Sequence, residues 1–141
     1  MAVRSNFCAL VILLAALAGC SDSVDRVPVK GRVFVDGQPL THGMVQVVPE
    51  GARPAYGELN AEGEYSLMTF KENDGTVPGV HPVTVTAIET VDEWHNKWHA
   101  PKEYSNASAG LTVEVGSDGS ASDIELSWKG GKPFVESNRK D

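Results

Sequence analysis

The sequence has only two cysteines, Cys8 and Cys20, both in its first twenty residues, so a cysteine-based zinc motif has no ligands in the rest of the chain. Long apolar runs are equally scarce. The one extended uncharged stretch, Phe7 to Ala18, is about a dozen residues, whereas a bilayer-spanning helix takes roughly 20. Basic residues are in deficit, 12 Lys and Arg against 19 Asp and Glu, a balance that repels nucleic acid and anionic lipid headgroups. No glycine loop of the phosphate-cradling kind and no nucleophile-elbow motif occurs. The acids around Asp74 lack the spacing of an EF-hand. These absences remove most sequence-legible enzymes and leave no catalytic constellation.

What is present begins with a leader. Met1 to Asn6 carries one positive charge, at Arg4, then the apolar run follows and ends in the small residues Ala18 and Gly19. This is the layout of a secretory signal peptide. The junction Leu17-Ala18-Gly19-Cys20 resembles the lipobox of bacterial lipoproteins. That resemblance implies cleavage after residue 19, attachment of diacylglycerol to the Cys20 thiol and a cell-envelope location. Stable anchoring needs two or more acyl chains, which a lipoprotein cysteine supplies. Ser21, with Asp22 only one place later, mildly favours the outer membrane. Removing residues 1–19 of 141 leaves 122, a single-domain length, with 11 basic against 19 acidic residues, or −8. Cys8 leaves with the leader and Cys20 takes the lipid, so no intrachain disulfide is expected and packing alone must hold the core. Residues 20–26 form a short polar tether.

From Val27 onward, period-two alternation dominates. Val27, Val29, Val33 and Val35 alternate with Lys30, Arg32 and Asp36, as in a half-buried strand. Asp36-Gly37 marks a turn. Met44–Val48, Ala55–Leu59, Glu64–Phe70, Val80–Ile88, Leu111–Val115 and Ile124–Trp128 are further strand segments, separated by turns rich in Gly, Pro, Asn and Asp. About seven short strands between turns predict an all-β fold, a single antiparallel β-sandwich over residues 27–128. Residues 129–141 are polar, with Phe134 and Val135 alone able to dock, and predict a flexible tail.

The segments Val29-x-Gly31-x-Val33, Asp36-Gly37-Gln38-Pro39-Leu40, Asn60-Ala61-Glu62-Gly63-Glu64-Tyr65-x-Leu67 and Gly79-x-His81-x-Val83-x-Val85 resemble the carboxypeptidase regulatory-like domain, a transthyretin-like (prealbumin-like), Ig-like sandwich. With the lipobox, Pro101-Lys102-x-Tyr104 and Ala109-Gly110-Leu111-Thr112, the whole is similar to small lipoproteins of planctomycete bacteria. The resemblance implies a non-catalytic binding or structural module rather than an enzyme, with an envelope protein, peptide or glycan as partner and no cofactor. Asn60 and Glu62 stand where that family more commonly has Asp.

One stretch departs from the generic pattern. Asp92-Glu93-Trp94-His95-Asn96-Lys97-Trp98-His99 holds two of the three tryptophans and two of the four histidines. As a helical turn capped by Asp92 it would place Trp94 with Trp98, and His95 with His99, on common faces. The indoles would then offer a ligand platform. The imidazoles would offer a zinc or copper site, completed by Asp92, Glu93 or His42, although zinc usually takes three or four protein ligands. The plainer expectation is that the tryptophans cover an open end of the sandwich. His81, alternating with valines, is expected to be a half-buried strand residue.

Overall fold

The structure, a computed structural model, describes residues 24–139. The leader, the Leu17–Cys20 junction, the first tether residues and residues 140–141 lie outside the described residues.

The chain is all-β. Eleven strands run in order: β1 Lys30–Val35, β2 Gln38–Pro39, β3 Met44–Val47, β4 Ala55–Glu58, β5 Glu64–Ser66, β6 Gly79–Thr86, β7 Ile88–Thr90, β8 His95–Trp98, β9 Thr112–Val115, β10 Ile124–Leu126 and β11 Phe134–Ser137. Two short 3-10 turns, Lys102–Ser105 and Ala107–Ala109, lie between β8 and β9. Each of the seven segments expected from alternation contains a strand. β2, β7, β8 and β11 are additional.

Two four-stranded sheets enclose the core. One is antiparallel throughout, in the order β4-β3-β6-β9. The other is built on β1, which pairs antiparallel with β5 near its start and with β2 near its end, and in parallel with β10. The expectation of a purely antiparallel sandwich is corrected here. Alternation specifies which side chains face inward but is silent on strand direction. The chain leaves β9, turns through 116–122 and crosses to the opposite sheet, where it meets β1 running the same way.

Inward positions match the alternation. Val29, Val33, Val35, Tyr65, Leu67, Ile124 and Leu126 from one sheet meet Val45, Val47, Val83, Val85, Val113 and Val115 from the other in one buried cluster. Each fully buried Val or Leu contributes roughly 1.5–3 kcal/mol relative to exposure, so small apolar side chains hold the core among the described residues, which contain no cysteine. Tyr65 is the largest member. It sits directly across from Gly31, and a Cβ at Gly31 would collide with the Tyr65 hydroxyl, so glycine leaves the space the ring occupies. That hydroxyl is buried with no hydrogen-bond partner among the described residues, and burial, with Asp123 adding, pushes its pKa up to about 12.

The third sheet is a three-stranded annex in the order β11-β8-β7. It overturns two expectations. The Trp/His stretch is a β-hairpin rather than a helical turn: Ile88, Glu89 and Thr90 pair with Trp98, Lys97 and Asn96. The expected flexible tail instead supplies β11, with Phe134 opposite Trp98 and Glu136 opposite Asn96. Its partner strand lies far back in the chain, and its own composition is polar, so neither period nor composition exposes the pairing.

Candidate functional site

The hairpin's turn is shaped by Asp92. Its Oδ1 accepts the backbone N–H of Trp94 at 2.8 Å and of His95 at 2.9 Å, and the His95 ring donates from Nδ1 to the same carboxylate at 2.8 Å. The bond from Trp94 N–H, followed by that from the His95 ring, holds the Asp92 carboxyl below its ordinary pKa. Further along, His99 Nε2 donates to Glu89 Oε2 at 2.7 Å, and this bond is the main reason the Glu89 carboxyl also lies low. His42 reaches over from the β2–β3 connection, donates Nε2–H to the Ile88 carbonyl at 3.0 Å and lies 5.2 Å from the His99 ring.

Strand geometry separates what a helix would bring together. Positions four apart still share a face in a strand, but at about 3.3 Å per residue they lie roughly 13 Å apart. His95 and His99 therefore cannot hold one ion between them, and each is occupied by its own carboxylate. Among the described residues no group of three or more His, Cys, Asp or Glu is arranged for a metal. Trp94 and Trp98 are separated in the same way and form no joint platform. Trp94 is 48% exposed, whereas Trp98 is 4% exposed. Trp98 stacks on Phe134 with centroids 6.4 Å apart and donates Nε1–H to Glu136 at 3.0 Å. Lys102 Nζ binds the other Glu136 oxygen at 2.6 Å, and that contact, with the Trp98 bond, lowers the Glu136 pKa. Phe134 also meets Trp128 edge-on at 6.3 Å. Trp98 is thus buried within the annex, outside the core cluster of the sandwich. His81 is buried in β6 and donates to the Val77 carbonyl at 2.8 Å.

The site that sequence reasoning missed lies on the outer face of β1, β4 and β5. An open groove of about 980 Å³ is lined by Arg32, Met44, Tyr56, Glu64, Met68 and Asp123, among others. Tyr56 and Met68 exchange backbone bonds at 2.9 and 2.8 Å, joining the edges of the two large sheets beneath it. Their side chains, with Met44, stay exposed at 40, 46 and 42%. Around this apolar strip stand Gln46, which donates to the Tyr56 hydroxyl at 3.2 Å, and Asn60, which donates to Glu64 at 3.3 Å. Arg32 pairs with Asp123 at 3.5 Å. In the sequence Arg32, Met44, Tyr56 and Glu64 are only outward positions of β1, β3, β4 and β5, and nothing in their spacing announces that they line one groove. Such a surface has the chemistry of a binding face: a ring and two flexible thioethers for apolar contact, with amides, carboxylates and bases at the margins.

No helix among the described residues is long and apolar enough to cross a membrane. No family model matches the chain, and no match is found among curated proteins or solved structures.

Proposed function

We propose that this chain is a cell-envelope lipoprotein whose domain is a transthyretin-like, carboxypeptidase regulatory-like sandwich serving as a non-catalytic binding module. The leader 1–19 is removed, Cys20 carries the lipid, and the outer membrane is the favoured destination. The lipobox supports the location. The groove over β1, β4 and β5 is the single observation that carries the binding role, because in it the exposed apolar groups of Met44, Tyr56 and Met68 meet unburied polar groups. Its partner is an extended peptide or a glycan chain of the envelope, laid along the Tyr56, Met44 and Met68 strip. The zinc or copper alternative rested on helical spacing of His95 and His99, which the hairpin does not provide.

Probing peptide and glycan arrays with the mature chain tests this. A retained ligand class whose affinity falls about tenfold or more in Tyr56→Ala is expected, as for an aromatic hot spot. Equal retention by both proteins would remove the groove from the binding role. Membrane fractionation of Cys20→Ser checks the anchor separately, with release into the soluble fraction expected.

A further inference from the structure

The described chain begins at the end of the sandwich where the loop between β5 and β6 turns back. Val27 exchanges both backbone bonds with Thr76, at 2.9 and 3.2 Å, so the incoming chain is fastened to that loop. Gly75, at φ +70°, makes the approach possible, since a Cβ there would collide with the Val27 carbonyl. The loop tip is rigid: Asp74 accepts the backbone N–H groups of Thr69, Phe70 and Lys71 at 2.6, 2.9 and 3.2 Å. From it Phe70 projects, 55% exposed and outside the core cluster. The guanidinium groups of Arg26 and Arg53 lie 4.5 and 5.1 Å from its ring centre.

A ring held on a stiff tip between two guanidinium groups suits the boundary layer of a bilayer, with the ring among the upper acyl carbons and the cations at phosphate level. Position supplies the second argument. Cys20 precedes Val27 by seven residues, so at 3.3–3.6 Å per residue the lipid site lies within about 25 Å of the Val27–Thr76 bridge. We propose that Phe70, flanked by Arg26 and Arg53, seats this end of the sandwich on the bilayer that holds Cys20.

The proposal rests on the lipid-anchor reading. Asp25, Glu50, Glu72 and Asp74 belong to the same connecting segments, with Asp74 close enough to feel the charge of Arg26, and the chain as a whole is acidic. The contact is therefore local, to the phosphate layer, and not a general attraction to anionic lipid. One ring binds weakly alone, but the tether holds it at high effective concentration over its target.

The test uses the full chain, lipidated through its own leader and reconstituted into phosphatidylethanolamine–phosphatidylglycerol vesicles brominated on the upper acyl carbons. Phe70→Trp places a reporter at the seat, and the unsubstituted chain gives the background from Trp94, Trp98 and Trp128. The expected result is a blue-shifted added emission that the bromines largely quench, with quenching reduced in an added Arg26→Gln/Arg53→Gln background. Vesicle-bound protein whose added emission is unquenched overturns the seat while leaving the anchor intact. Undiminished quenching without the arginines overturns their part in it. Protein that fails to co-sediment with the vesicles overturns both readings together.

Discussion

In the sandwich, Val33, Val45, Val47 and Leu67 have no exposed surface, and their neighbours across the core are equally small and apolar. In the annex, Trp98 alone is buried, and the strand that covers it presents Phe134 and Val135 at 41 and 55% exposure. The sandwich holds by area removed from water in two opposed layers. The annex holds by one large ring and a carboxylate, Glu136, that binds both the indole N–H and Lys102. The two regions should therefore differ in how they open: the sandwich as a cooperative unit, the annex locally and at lower free energy.

Paired truncations probe the difference most strongly. Leu67→Ala should cost about 2–5 kcal/mol of global stability, read from a denaturant midpoint with unchanged slope. Trp98→Ala removes a larger side chain, yet it should lower the global value by less than about 2 kcal/mol while abolishing amide protection along β8 and β11. A global loss as large as that of Leu67→Ala would make the annex part of the core.

The extremes of pH should separate the regions in opposite directions. Tyr65 binds its proton more tightly when folded, so its contribution is complete below its ordinary value near 10. It is lost as pH rises through about 12, amounting to about 2–3 kcal/mol at 1.36 kcal/mol per unit. Thermal melts between pH 9 and 12 should show this, and Tyr65→Phe should remove it. In the annex, Glu89, Asp92 and Glu136 have lowered pKa values, so their contributions are present above the ordinary carboxylate range and lost as pH falls through the folded values. Exchange protection in the hairpin should accordingly fail in acid before that of β6. The smallest effect is expected of Asp92→Ala, which should speed amide exchange at Trp94 and His95 and leave the melting midpoint unchanged within error.

The same contrast explains what could be read from the chain in advance. Every sandwich strand of more than two residues was legible because small or apolar inward residues repeat with period two, and turn residues punctuate them. β2 has only two residues and carries no period. β7, β8 and β11 escaped because each is short, and what pairs them is a match between distant positions such as Trp98 and Phe134. Histidines and tryptophans four apart share a face in helix and strand alike, so the spacing of Trp94, His95, Trp98 and His99 was ambiguous. Only the rise per residue decides whether they meet. The groove was illegible for another reason, since Met44, Tyr56 and Met68 look like ordinary outward positions until the β3–β4 pairing and the Tyr56–Met68 bridge gather them.

The parallel pairing of β1 with β10 sets the order in which the chain can fold. Val33 lies opposite Ile124, 91 positions further along, so the first strand stays incomplete until nearly the whole domain has been synthesised. Closing so long a loop is entropically costly, and folds dominated by such contacts form slowly. While residues beyond 120 are still emerging, β1 has no β10 to pair with, so one side of β1 stays open until the last strand of the sandwich arrives.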